Sequence, residues 1–183
     1  MPAKKSRTEI TIQNIVVSTS LEHDIPLIKL AEVLPNTEYN PEQFPGLVMR
    51  IKDPKTSALI FSSGKIVLTG AKSLTKVKES LQKIIKNLAK IKVRIRIKPK
   101  INVQNMVASG SIHMDLNLNS LAMKLDNTEY EPEQFPGLVY KLSGTKATFL
   151  LFSNGKIVCT GTKSETKLRE AVKKLVVVLK KVK

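Results

Sequence analysis

Apolar positions along the chain follow two rhythms, every second residue in some stretches and every third or fourth in others. Ile10–Ser20 and Ile101–Ile112 are rich in β-branched residues and read as strands. Leu27–Leu34 and Leu118–Leu125 carry apolar residues at helical spacing, which predicts a short helix in each. Leu47–Ile51 and Leu138–Leu142 predict short strands. Ala58–Phe61 and Lys65–Thr69 flank Ser62-Ser63-Gly64, a hairpin signal that Leu150–Thr160 repeats around Ser153-Asn154-Gly155. A long helix follows, with Ser73 and Ser164 as N-caps and Leu74, Val77, Leu81, Ile84, Ile85 and Leu88 as one apolar stripe. Lys92–Lys100 alternates basic and apolar residues, which predicts an edge-like strand joining the halves.

The order of elements occurs twice because the sequence does. Shifting the chain by 91 residues lays Ile10–Ser73 on Ile101–Ser164 without a gap, and about 35 of the 64 pairs are identical. A period this long, present only twice, is not a solenoid. Two similar halves related by a pseudo-two-fold axis is the simpler expectation, and it divides the chain into a basic arm (1–9), a first repeat (10–91) and a second repeat (92–183). The predicted class is α+β, an antiparallel sheet with its helices on one side.

The hairpins carry the functional clue. Side chains of a strand alternate between its faces, so Ala58, Ile60, Ile66 and Leu68 point one way and Leu59, Phe61, Val67 and Thr69 the other. The second hairpin sets Phe149, Leu151, Ile157 and Cys159 opposite Leu150, Phe152, Val158 and Thr160. Both sets are largely apolar, whereas a sheet with one wet face shows polar residues at alternate positions. One short and one long helix per half suffice to cover a single face. The other face is therefore an interaction surface, or the halves stack as a two-sheet sandwich and bury it.

Charge narrows the choice of partner. The 183 residues include 31 Lys or Arg against 15 Asp or Glu, a formal net charge of +16. Arg50, Lys55, Lys65 and Lys72 rim the uncovered face and recur as Lys141, Lys146, Lys156 and Lys163. An apolar floor with a cationic rim fits the DNA minor groove, walled by deoxyribose and edged by phosphates. A membrane surface fits poorly, because a stiff sheet with dispersed lysines is not an amphipathic helix. No apolar run reaches the 18 residues a spanning helix needs, and no secretory leader is read at the start, so a cytoplasmic, nucleoid-associated location is expected. The single cysteine, Cys159, cannot form an internal disulfide. His23 and His113 do not occupy matching positions, Asp24 and Asp115 have no nearby partner at metal spacing, and no Gly-rich phosphate loop is present. No enzyme, metal or cofactor is expected.

Specific motifs sharpen the reading. Gln13-Asn14-Ile15-Val16 and Gln104-Asn105-Met106-Val107, Glu42-Gln43-Phe44-Pro45-Gly46 and Glu133-Gln134-Phe135-Pro136-Gly137, and both Phe-Ser-Ser/Asn-Gly-Lys hairpins resemble the TATA-box-binding protein family, in its archaeal form. That family is itself a well-known example of a sheet that kinks the minor groove. The resemblance implies two pseudo-symmetric repeats forming one curved antiparallel sheet, a saddle, with two helices per repeat on the convex face. It implies that Phe44, Phe61, Phe135 and Phe152 are wedges entering opened base steps, and that Asn14 and Asn105 donate to adenine N3 and thymine O2. Val16, Leu59, Val67, Thr69, Val107, Leu150, Val158 and Thr160 would then line the groove floor, favouring A·T by excluding the guanine amine. Arg50, Lys55, Lys65, Lys72, Lys141, Lys146, Lys156 and Lys163 would hold phosphates, and Lys76, Lys83, Lys86 and Lys90 on the long helix are a solvated face.

The implied function is a general transcription initiation factor that binds the TATA box of double-stranded promoter DNA, bends it, and recruits transcription factor B and RNA polymerase. Glu131, Glu133 and Gln134 match the loop that meets transcription factor B in the family. The basic end Lys180-Lys181-Val182-Lys183 departs from the acidic tail of many archaeal relatives. The apolar face also leaves open a homodimer of the free chain. The rival readings are a sequence-neutral nucleic-acid or chromatin protein and an accessory domain of a nucleic-acid-processing enzyme.

Overall fold

A computed structural model describes residues 8–182. Residues 1–7 of the expected basic arm, and Lys183 of the basic end, lie outside the described residues. The elements run β1 (Glu9–Ser20), α1 (Leu27–Val33), β2 (Thr37–Glu38), β3 (Leu47–Ile51), β4 (Thr56–Ile60), β5 (Lys65–Ala71), α2 (Leu74–Lys90), β6 (Asn102–Ser111), α3 (Leu118–Lys124), β7 (Thr128–Glu129), β8 (Leu138–Lys141), β9 (Thr148–Leu151), β10 (Lys156–Thr162) and α4 (Glu165–Val182). The strands pair antiparallel within each half, in the order β2-β3-β4-β5-β1 in the first and β6-β10-β9-β8-β7 in the second. With two helices in each repeat, this is the expected α+β class. The two-residue strands β2 and β7 are too short to leave a periodic signal and were not expected.

The chain divides into two compact units. The first, Asn14–Gln104, holds the order β2-β3-β4-β5-β1 with α1 and α2. Its core lies between sheet and helices, where Ile15, Leu47, Met49, Ile60, Ile66 and Leu68 meet Val77, Ile84 and Leu88 of α2, all buried. Burying one such side chain contributes roughly 1.5–3 kcal/mol. Ser73 starts α2 as expected, its Oγ accepting from Lys76 N–H at 3.2 Å.

The second unit holds β7-β8-β9-β10-β6 with α3 and α4, together with residues 8–13. Phe149 and Leu151 are buried against Leu168, Val172 and Leu175 of α4, and Ser164 caps that helix by accepting from Lys167 N–H at 3.3 Å. The start of β1 lies so close to Gly110 that a Cβ there would stand 1.9 Å from the Glu9 carbonyl oxygen.

One expected element is absent. Lys92–Lys100 forms no strand. Its neighbour in sequence, α2, ends in a Schellman turn: Lys92 takes a left-handed φ of 66°, Lys92 N–H donates to Ala89 O at 3.0 Å and Val93 N–H to Leu88 O at 3.1 Å. The motif buries Ile91 and Val93 and turns Lys92 and Arg94 outward, which accounts for the alternation without a ladder.

Candidate nucleic-acid interface

Strand parity places the two hairpin faces as the sequence predicts. In the first unit Ala58, Ile60, Ile66 and Leu68 are buried under the helices, while Leu59, Phe61, Val67 and Thr69 remain partly exposed. Cross-strand pairing aligns Val48, Leu59, Val67 and Ser18 in one row. The second unit buries Phe149, Leu151, Ile157 and Cys159 and aligns Val139, Leu150, Val158 and Ser109 in the matching row, all four partly exposed. Val16 and Val107 are likewise partly exposed. Among the described residues, no helix or loop covers either row. Val48, Val139, Ser18 and Ser109 extend the face beyond the sequence-based set, although period-two counting along β1, β3, β6 and β8 was enough to find them.

Each unit carries one pair of phenylalanines. Phe44 follows a turn in which its N–H and that of Gln43 both donate to Asn40 O, and Phe61 closes β4 where Gly64 turns the hairpin at a φ of 83°. Their ring centroids stand 5.9 Å apart at 66°, edge to face. Phe135 and Phe152 repeat this at 6.0 Å and 70°, with Glu131 O receiving the two turn N–H groups. Phe44 is 42% and Phe135 43% exposed, which is unusual for a ring of that size and leaves an apolar edge in water. Gly46 and Gly137 make this possible. A Cβ on Gly46 would lie 2.7 Å from the Phe44 ring and 3.1 Å from Phe61, and on Gly137 2.7 Å from Phe135 and 3.0 Å from Phe152. The fifth phenylalanine, Phe149, is core.

Asn14 and Asn105 are held rather than free. Gly70 N–H donates to Asn14 Oδ1 at 2.7 Å, and Asn14 Nδ2 donates to Thr69 Oγ1 at 3.0 Å. Gly161, Asn105 and Thr160 form the same arrangement at 2.8 and 2.9 Å. Thr69 and Thr160, read from sequence as groove floor, are therefore also partners of the asparagines. Within the first unit Gln104 Nε2 donates to Ser18 Oγ at 2.8 Å, and within the second Gln13 Nε2 donates to Ser109 Oγ at 2.9 Å.

The cationic rim is exposed at every predicted position, Lys55, Lys65, Lys72, Lys141, Lys146, Lys156 and Lys163 included. Arg50 is already engaged, its Nη1 standing 3.1 Å from Glu38 Oε2 in an exposed ion pair. On α2, Lys76 pairs with Glu79 at 2.9 Å and Lys83 reaches Asp53. The hydrogen bond and charge of Glu79 raise the Lys76 pKa. Glu131, Glu133 and Gln134 are all exposed on the loop leading to Phe135. Among the described residues no group of three or more His, Cys, Asp or Glu is placed to hold a metal, and no helix is long and apolar enough to cross a membrane. Burial pushes the Cys159 thiol up to about 11, which keeps it protonated and poorly nucleophilic.

Comparison with known proteins places this arrangement. The family profile described as transcription factor TFIID (or TATA-binding protein, TBP) matches residues 9–91 and again 100–182. The chain belongs to the TATA-binding protein family. Among curated relatives, the TATA-box-binding protein of Thermococcus kodakarensis is 51% identical over 176 residues, covering 96% of this chain and 93% of that protein. The TATA-box-binding protein of Picrophilus torridus is 50% identical over 176 residues, covering 95% and 96%. The solved structure of Methanococcus jannaschii TBP superimposes with a TM-score of 0.89 at 47% identity, covering 94% of this chain and 99% of that one.

Proposed function

We propose that this chain is a general transcription initiation factor that binds the TATA box through the DNA minor groove. The observation that carries the reading is the recurrence, in both compact units, of a partly exposed apolar row ending in an edge-to-face phenylalanine pair and fringed by lysines. The name borne by its curated relatives, TATA-box-binding protein, supports the same ligand.

In this reading the apolar rows lie against the sugar walls and base edges of an opened minor groove. Phe44 with Phe61, and Phe135 with Phe152, each act as one wedge at a base step. Unstacking a step costs a few kcal/mol, offset by the apolar surface that the bent duplex then covers. Asn14 and Asn105 supply hydrogen-bond donors at the groove floor, where adenine N3 and thymine O2 accept and guanine adds an amine that a second donor cannot meet. Arg50, Lys55, Lys65, Lys72, Lys141, Lys146, Lys156 and Lys163 neutralise phosphates and set affinity and salt dependence without reading sequence.

The two repeats, 10–91 and 92–183, each bring one wedge and one asparagine to the duplex. The exposed acids Glu131 and Glu133, with Gln134, offer a polar loop for transcription factor B, through which RNA polymerase is recruited. The protein acts without a cofactor, as a nucleoid-associated binding factor rather than an enzyme, and its apolar face offers a homodimer contact while DNA is absent. Footprinting on an A·T-rich promoter against a G·C-substituted control tests the reading. Protection confined to the A·T element is expected. Equal affinity for both would transfer the protein to the sequence-neutral binders.

A further inference from the structure

We propose that the backbone N–H groups of Gly70 and Gly161 are positioning elements that set the polarity of Asn14 and Asn105. Each unit then presents hydrogen-bond donors, and no amide acceptor, to the nucleic acid. The inference rests on the proposed reading that these asparagines meet base edges.

The argument begins with the bulge. Pairing of β1 with β5 jumps from Ile15–Ala71 to Val17–Leu68, and pairing of β6 with β10 jumps from Met106–Thr162 to Ala108–Cys159. In each case one strand spends an extra residue, and the glycine in that stretch turns its N–H out of the ladder. That N–H finds the asparagine Oδ1 at 2.7 Å in the first unit and 2.8 Å in the second. The position demands glycine on two counts. Gly70 and Gly161 have φ of 97° and 90°, and a Cβ would stand 3.1 Å from the Lys55 carbonyl oxygen and 2.1 Å from that of Lys146.

A side-chain amide at a partly exposed site can turn over by 180°, exchanging a donor for an acceptor. Here it cannot do so freely, because a backbone N–H only donates. Turned over, the NH2 group would face that N–H, and the bulge would lose its partner. The held orientation directs one Nδ2 hydrogen to Thr69 or Thr160, at 3.0 and 2.9 Å. The other hydrogen is left for a ligand. Each threonine hydroxyl, having accepted, keeps its own proton; its Oγ1 lies 3.3 or 3.4 Å from Oδ1, a long contact from which the proton can swing to an external acceptor. Two outward donors with no outward amide acceptor suit A·T and T·A pairs alike and leave a guanine amine unmatched. A turned-over amide would offer that amine an acceptor and erase the discrimination.

The test replaces the N–H itself. Gly161→glycolate, introduced into the full chain as a backbone ester, removes the donor and leaves every side chain in place. An ester made with the hydroxy acid of leucine at Leu125, whose N–H bonds Leu121 O in the helix, is the control for losing a backbone hydrogen bond. Dissociation constants are measured by fluorescence anisotropy at one salt concentration, on an A·T duplex and on duplexes with single central G·C replacements. The Gly161 ester is expected to lower the A·T preference about tenfold. Affinity for the duplexes with central G·C replacements should hold or rise while that for the A·T duplex falls, the Leu125 ester should keep the preference, and the Gly161 ester should add nothing in an Asn105→Ala background. An ester that keeps the preference while Asn105→Ala loses it would overturn the positioning role and leave the donor reading standing. If Asn105→Ala also keeps it, the donor reading fails, and this inference with it. In the free protein, a through-hydrogen-bond NMR coupling between Gly161 15N and Asn105 13Cγ is expected, and its absence would overturn the proposal independently of DNA.

Discussion

The Phe135 ring meets Phe152 edge to face with centroids 6.0 Å apart, and the space beside them exists because residue 137 is glycine. Phe135→Ala with Phe152→Ala should therefore cut DNA bending, read by energy transfer between dyes at the duplex ends, more than it slows encounter. Gly137→Ala should do the same in weaker form, because a Cβ 2.7 Å from one ring and 3.0 Å from the other forces both to shift. Bending left intact in the double variant would remove the wedge role.

The exposed lysines and the paired arginine should separate in salt titrations. Lys65→Ala and Lys156→Ala are each expected to lower the slope of log K against log salt by about 1, with the A·T preference unchanged. Arg50→Ala should change it less, since Glu38 already holds the guanidinium at 3.1 Å. Glu38→Gln should raise affinity by releasing it.

One substitution should have opposite signs in the two units. Thr56 Oγ1 lies 2.8 Å from Ser80 Oγ, both buried, so Thr56→Val strands the serine hydroxyl and should cost about 1–3 kcal/mol. Thr162 is only 7% exposed and its Oγ1 has no partner among the described residues, whereas the matching residue of the first repeat is Ala71. Thr162→Val should stabilise the fold by about 1 kcal/mol, raising Tm by about 2–4 °C in calorimetry.

Cys159 gives a pH dependence with a definite sign. Burial raises its thiol from an ordinary 9.0 to about 11, so between those values the unfolded chain releases a proton that the folded chain keeps. Its contribution is complete below about pH 9 and lost as pH rises toward about 11. Cys159→Ala should flatten that part of the stability curve in denaturant titrations. Thiol reagents at neutral pH should modify the native protein far more slowly than the denatured one.

Much of this was legible in the residues. The parity of Leu59, Phe61, Val67 and Thr69 against Ala58, Ile60, Ile66 and Leu68 was readable because alternation is a local property of an extended backbone. The caps Ser73 and Ser164 were readable because a helix start needs an oxygen acceptor at that place. Lys92–Lys100 misled because alternating burial arises from any segment laid along an apolar edge, and a Schellman turn followed by irregular chain produces it as readily as a strand.

By itself the sequence determined the duplication, the face to which each strand residue belongs, and the excess of positive charge, all of which follow from neighbouring residues or from composition. Only the tertiary structure decided that Gly70 reaches Asn14 across 56 positions, that Arg50 is claimed by Glu38, and that the Thr162 hydroxyl has no partner among the described residues. Those outcomes depend on strand register and on where a bulge falls, and both are set by packing between segments distant in the chain.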